Sequence, residues 1–394
     1  MTRSCAGLAL GFLVGAAPAA AQVPPVPVSA ESLRASLFAV ADDSMGGRAT
    51  GSIGNFKAAE WVAAAFRRYG LEPDGENGSF FQTLPIVSTR RDAPSGPGTT
   101  GYPVRNVIAV LRGSDPALSQ TYVSLTAHND HIGTRRLAAD HDSARAFNRV
   151  VRPMGADSPL RPATPQEQER IDGLLDSLRA QHPPRRDSIY NGADDDGSGT
   201  VLLVELARVF AAGPQPRRSI LFVSHAAEEI GLRGSAYFTD HPTVSRDSIV
   251  AELDMDMVGR GGVADLPGGG PGYLELVGTR RLSTEFGNLI DSIGRSEPVK
   301  FRFNYEYDAP GNPLQYYCRA DHYSYARYGI PSASLSTGEH LDYHQVTDEP
   351  QYIDYHQLAR VAALVRDVAL AVANLDHRPA VDGRRQDPAA PCRQ

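Results

Sequence analysis

The chain has 394 residues, a formal net charge of −7 and 41% hydrophobic residues. That length buries a large core in one big domain or two small ones, and so mild an acidity argues against nucleic acid or an anionic membrane as partner. With 3 cysteines the chain has neither a disulfide framework nor a zinc site built on thiolates, so any metal must use histidine and carboxylate ligands.

The first 21 residues read as a secretory leader. Arg3 supplies the positive start, Leu8 to Val14 a short apolar core, and Ala19-Ala20-Ala21 before Gln22 a small-residue cleavage site. The apolar run is too short to span a bilayer, and Cys5 precedes it, too early for lipid attachment. The expected product is exported, periplasmic or secreted, without a membrane span. Cys318 and Cys392 remain after cleavage and could pair in an oxidising compartment.

Helices are predicted over Glu31–Asp42 and over the stretch where Ala58, Trp61, Val62, Ala65, Phe66 and Tyr69 recur at helical spacing before Gly70. Asn106–Leu111 and Tyr122–Thr126 are apolar, β-rich runs suited to buried strands. Residues 134–190 are charged and interrupt this pattern as an insertion. It holds one helix, opened by the capping box Thr164-Pro165-Gln166-Glu167 with Ile171, Leu174, Leu175 and Leu178 as its apolar face; the insertion either packs this helix near the site mouth or is a surface excursion without a role. Then come a helix at Ser198–Ala212, strands at Ser219–Ser224, Ser248–Leu253 and Tyr273–Val277, a helix around Leu282–Ile293, a short helix at Tyr323–Tyr328, a strand at Ser332–Ser336 and a long helix from Tyr355 to Leu375. Apolar strands alternating with helices predict a single α/β domain over 22–376, its sheet covered on both faces and its ligands at the strand ends. The polar, Pro/Arg-rich tail 377–394 reads as disordered.

The chemistry concentrates in loops and at strand ends. Asn191–Thr200 (NGADDDGSGT) sets Asp194, Asp195 and Asp196 side by side, a repulsive cluster that a nearby cation would compensate. His128 follows a strand, with Asp130 two residues on to accept its second ring N–H. Glu228 and Glu229 lie just beyond another strand; beside a metal, one coordinates and the other stays free as a base. Asp254 and Asp256 point to the same side of a strand, so one is a ligand and the other its partner, or Asp254 only caps the strand. His344 lies in the loop before the final helix.

In order, AHND, GADDDGSG, AAEEIGLRGS, DMVGR, RADHYSYARYGIPS and DYHQVTD closely resemble the co-catalytic di-zinc aminopeptidases, the group of bacterial leucyl aminopeptidase, the Streptomyces aminopeptidase and aminopeptidase Y. Glutamate carboxypeptidase II and the glutaminyl cyclases are more distant relatives. The resemblance runs from about Glu31 to about Leu375. It implies a zinc exopeptidase-like, three-layer αβα fold with a mixed, mostly parallel sheet, two zinc ions, and peptide substrates with a free N-terminus. Carried over residue by residue, it implies that His128 and Asp256 hold one zinc and Glu229 and His344 the other. Asp194 would bridge both across a cis bond to Asp195, Glu228 would be the general base and Asp130 would orient His128. Asp196 has no implied role beyond bonding the Gly-Ser-Gly turn.

This sequence departs from the pattern at Asn129, where Tyr or Leu is usual, and at Ala320, where Ser is usual before Asp321 and His322. The long insertion is not general in the family, and Phe81 to Asn106 is too short for a protease-associated domain. Tyr316 or Tyr317 is placed to help stabilise the transition state, as tyrosines do in some relatives. Two other readings fit the fold: a glutaminyl cyclase-like or carboxypeptidase relative, and an inactive binding protein. Cyclases of this group use a single zinc and inactive descendants lose ligands, so the intact ligand set disfavours the cyclase and the inactive protein and leaves the carboxypeptidase open.

Overall fold

The computed structural model describes residues 26–86, 101–266 and 268–394. The leader and part of the segment between Phe81 and Asn106 lie outside these residues. In chain order the elements are α1 (Ala30–Val40), α2 (Ile53–Arg68), β1 (Glu72–Pro73), β2 (Phe81–Thr83), β3 (Arg105–Leu111), β4 (Tyr122–His128), β5 (Thr134–Asp140), α3 (His141–Val151), α4 (Pro165–Arg179) and β6 (Arg186–Ile189). There follow α5 (Gly199–Ala212), β7 (Ser219–His225), α6 (Arg233–Asp240), β8 (Ile249–Met255), β9 (Tyr273–Val277), α7 (Thr284–Ser296), β10 (Arg302–Asn304), α8 (His322–Ala326), β11 (Ser332–Ser336) and α9 (Tyr355–Asn374).

The central sheet runs β1-β3-β7-β4-β8-β11-β9-β10, with β2 also paired to β3. The four middle strands β7, β4, β8 and β11 are mutually parallel, and β3 and β9 flank them antiparallel. The apolar runs are continuous because both faces are buried. Val107 and Ala109, Val123 and Leu125, and Ile220 and Phe222 join a core with α1, α2, α5, α7 and α9. Their neighbours Ile108 and Val110, and Leu221 and Val223, turn to the opposite face, against Phe238 of α6 and Tyr325 of α8. Leu202, Leu203 and Leu206 of α5 are fully buried, each contributing about 1.5–3 kcal/mol to holding that helix on the sheet.

Parallel strands end on the same edge, and here that edge carries the chemistry. His128 is the last residue of β4, Glu228 and Glu229 follow β7, Asp256 follows β8, and the loop after β11 leads to His344.

The insertion is richer than one helix. β5 and β6 pair antiparallel, and α3 packs on α4 through Ala146, Val151 and Ile171. The apolar face of α3, Ala146, Phe147, Val150 and Val151, recurs at helical spacing, a signal that the reading of the insertion as a single helix leaves unused. The capping box forms as read, Thr164 and Glu167 bonding each other's backbone. The insertion leans on the loop of His344: Asn148 donates to the Leu341 carbonyl at 3.0 Å and Arg145 to Asp342 at 2.8 Å.

The tail, expected without structure of its own, is held along the body. Gly383 N–H donates to the Leu282 carbonyl at 3.0 Å, Thr284 N–H to Asp382 at 2.9 Å, and a disulfide joins Cys392 to Cys318. The anchors are main-chain groups, the side chains of Arg378, Asp382 and Gln394, and one cysteine. No helix among the described residues is long and apolar enough to cross a membrane.

Candidate metal centre

Asp195 sits at the middle of the site, and its two carboxylate oxygens face different histidines. Oδ1 lies 3.2 Å from His128 Nε2, and Oδ2 lies 2.9 Å from His344 Nε2. On the first side, Asp256 Oδ1 is 3.7 Å from His128 Nε2. On the second, Glu229 Oε2 is 3.1 Å from His344 Nε2. His131 completes that side, its Nδ1 at 2.6 Å from Glu229 Oε1 and 3.7 Å from Asp195 Oδ2. Two groups of potential metal ligands therefore lie side by side: His131, Asp195, Glu229 and His344, and His128, Asp196 and Asp256.

Asp194 is absent from both groups, contrary to the bridging role that the resemblance implies. Its carboxylate is fully buried and turned away, accepting Gly259 N–H at 2.7 Å and pairing with His340 Nε2 at 3.1 Å. Asp348 sets this arrangement by accepting the main-chain N–H groups of Asp194 at 3.0 Å and Asp195 at 3.2 Å. The cis peptide likewise lies one residue later, between Asp195 and Asp196. Within three identical side chains on irregular backbone, no periodicity says which one faces the cluster.

Asp196 anchors the surrounding backbone. Oδ2 accepts His128 N–H at 3.0 Å and Oδ1 accepts Gly199 N–H at 2.9 Å, tying the end of β4 to the start of α5. Asp130 serves both halves of the site. Its main-chain carbonyl is 3.2 Å from His128 Nδ1 and its carboxylate 3.7 Å, while Oδ1 accepts Glu228 N–H at 3.1 Å and Oδ2 accepts the Thr50 hydroxyl at 2.7 Å. Asp254 bonds the Thr126 hydroxyl at 3.0 Å and stays outside the cluster. Tyr316 lines the adjoining cavity, whereas Tyr317 packs against His322 away from it. Asp321 and His322 are buried outside the cavity, which the preceding residues Arg319 and Ala320 line.

Two participants carry a weak sequence signal or none. His131 lies one residue past AHND, an adjacency that could have flagged it. Arg48 is buried at 1% exposure beneath the aspartates, donating to the carbonyls of Val40, Asn191 and Gly192 at 3.1, 2.6 and 2.8 Å. Its charge faces Asp195, Asp196, Asp348 and Asp130, yet nothing in its local sequence marks it.

Non-glycine residues at the site hold left-handed backbone: Arg48 (φ 47) beneath the aspartates, Ala227 (φ 63) before Glu228, Met257 (φ 57) after Asp256, and His344 itself (φ 53). Such conformations persist where surrounding structure over-determines them.

The electrostatics separate the carboxylates. Burial resists ionisation at Asp195, but His131, His128 and His344 hold its carboxyl well below the ordinary range. Glu229 is held at about 2 by His131 and His344 against burial and Asp195. Glu228 goes the other way: burial, with Glu229, Asp321 and Asp256, pushes it well above the usual range. Burial also pushes Asp256 and Asp196 up, so only Asp195 and Glu229, which face His131 and His344, are held down, and Glu228 is one of the buried acids able to carry a proton. The donor set of imidazole and carboxylate, buried and dense in negative charge, fits zinc.

The model of peptidase family M28 matches residues 106–369. Leucine aminopeptidase 1 of Ajellomyces dermatitidis is 34% identical over 198 residues, covering 47% of this chain and 48% of that protein. The chain spans about half or less of the curated relatives it matches. Among solved structures, a glutaminyl cyclase of Bacteroides thetaiotaomicron aligns with a TM-score of 0.57 at 17% identity, covering 88% of this chain and 99% of that one. A leucine aminopeptidase precursor of the same organism aligns with a TM-score of 0.56 at 17% identity, with the same coverage. These two structures share the fold: a mixed, mostly parallel sheet between helices.

Proposed function

This chain belongs to peptidase family M28, and on that premise we propose that it is an exported zinc-dependent exopeptidase, an aminopeptidase that removes N-terminal residues from peptides. The observation that carries the reading is a pair of adjacent ligand groups, with Asp195 turning one carboxylate oxygen toward His128 and the other toward His344. His128 and Asp256 would hold one zinc, Glu229 and His344 the other, with Asp195 rather than Asp194 between them. When bound, the two ions supply an acidified water and a polarised scissile carbonyl.

The protein's own residues do the rest. Glu228 takes the proton of the attacking water and returns it to the leaving amine. Its raised pKa suits it to hold that proton between the two steps. Asp130 positions it through its main-chain N–H and keeps the His128 ring oriented. A substrate α-ammonium is favoured by a site so rich in carboxylates, which supports exopeptidase over endopeptidase action. Export is supported by the leader sequence and by the Cys318–Cys392 disulfide.

The test is a panel of aminoacyl-p-nitroanilides with N-acetylated controls, run with and without chelator alongside metal analysis. Chelator-sensitive cleavage of the free substrates alone is expected. Equal cleavage of blocked and free substrates would rule out the aminopeptidase reading. Cyclisation of N-terminal glutamine without peptide hydrolysis would move the protein to the glutaminyl cyclases.

A further inference from the structure

We propose that the cavity beside the metal cluster selects substrates whose N-terminal residue carries a cationic side chain, lysine or arginine, through Glu275 and Glu339. The proposal rests on the aminopeptidase reading and adds to it the substrate class.

The cavity has a volume of about 70 Å³ and is walled by Asp195, Glu228, Glu229, Asp256 and His344 on the metal side. Beyond these it is lined by side chains that no proposed catalytic step uses. Glu275 and Val277 alternate along β9 onto one face, and Ser336 and Ser334 of β11 lie directly across from them. Glu339 comes from the loop between β11 and His344. Small serines and an acid thus stand where an apolar-selective pocket would present large aliphatic or aromatic groups.

Both carboxylates are held rather than solvated. Glu275 is 2% exposed, and its Oε1 accepts the Tyr273 hydroxyl at 2.6 Å, itself fixed by Asn304 at 2.9 Å. Its Oε2 is buried with no hydrogen-bond partner among the described residues. Glu339, 8% exposed, accepts the Tyr316 hydroxyl. The cation lining this cavity, Arg319, is committed elsewhere, to Asp157 at 2.6 Å and the Tyr343 hydroxyl at 3.0 Å. Burial pushes Glu275 up to about 7, and burial with the charge of Glu275 pushes Glu339 well above its usual range. An ammonium or guanidinium group relieves that penalty and satisfies the orphaned oxygen. Val277 and Met257 offer apolar wall to the methylene stem, the division of labour that a lysine side chain needs.

The experiment compares Lys-, Arg-, norleucyl- and Leu-p-nitroanilide. Norleucine has lysine's chain without the ammonium. A kcat/KM for Lys at least about tenfold above norleucine is expected, and that ratio should collapse in Glu275→Gln and in Glu339→Gln. Calorimetry of L-lysine against L-norleucine on the wild-type protein should give the same order without turnover. Chelator-sensitive cleavage of Leu and norleucine with no advantage for Lys would overturn the pocket assignment and leave the aminopeptidase reading standing. If no free aminoacyl substrate is cleaved, that reading fails, and the calorimetric comparison alone decides the pocket: equal or tighter norleucine binding refutes it.

Discussion

Substituting the two neighbouring aspartates separately discriminates between bridge assignments. Asp342 N–H donates to His340 Nδ1 at 3.2 Å, so Nδ1 carries no hydrogen and Nε2–H donates to Asp194. Asp194 also accepts Gly259 N–H at 2.7 Å. In Asp194→Asn the amide has one acceptor for these two buried donors, so one is orphaned whichever way it flips. The cost is about 1–3 kcal/mol of stability, with the proposed ligands untouched. In Asp195→Asn a carboxylate facing both His128 and His344 is lost. Even neighbours of a ligand are worth about 10- to 100-fold in metal affinity, so a shared ligand should cost at least the upper figure at both positions. Metal analysis after dialysis against buffered free zinc, with thermal melts of the same samples, separates the cases. Asp194→Asn is expected to melt lower and keep its zinc, and Asp195→Asn to lose it. Full zinc content in Asp195→Asn, with loss from a folded Asp194→Asn, would refute the assignment.

Glu228→Gln is expected to lower kcat by about 10²–10⁴-fold while zinc content stays unchanged; loss of zinc from that variant would make Glu228 a ligand rather than the base. His344→Ala should release about one of two metal equivalents by direct metal analysis, and unchanged stoichiometry would place that ligand elsewhere. The Cys318–Cys392 bond closes a loop with a sequence separation of 74, so Cys392→Ser should cost up to about 4 kcal/mol, read as a lower denaturation midpoint; an unchanged midpoint would show the tail to be held by its hydrogen bonds alone. Glu275, bonded to Tyr273 and facing Glu306 and Glu339, is neutral below about 7 and ionised above it. L-lysine affinity should therefore rise from about pH 6 to about pH 8 relative to L-norleucine, and a flat ratio would remove Glu275 from recognition.

Much of the architecture follows from patterns local in the chain. Tyr273–Val277 and Ser332–Ser336 are strands with the bounds read from the sequence, and Ser219–Ser224 extends by one residue to His225. A buried strand announces itself through a run of apolar residues and a helix through its period, whatever they pack against. The insertion and the tail are where the reading falls short. Residues of α3 such as Arg145 and Asn148 are buried by bonding the His344 loop, a tertiary fact invisible in a polar sequence.

At the site, sequence alone determined the chemistry: which loops carry His, Asp and Glu, that they lie at strand ends, and that no thiolate takes part. Tertiary structure decided which of those side chains face each other. Asp194 is claimed by Gly259 and His340, which leaves Asp195 to face His128 on one side and His344 on the other; His131 arrives from one residue beyond AHND and Arg48 from a position that no motif marks. The physical reason is that periodicity governs side-chain direction only within helices and strands. In the irregular turn between β6 and α5, direction is set by hydrogen bonds to residues more than sixty positions away.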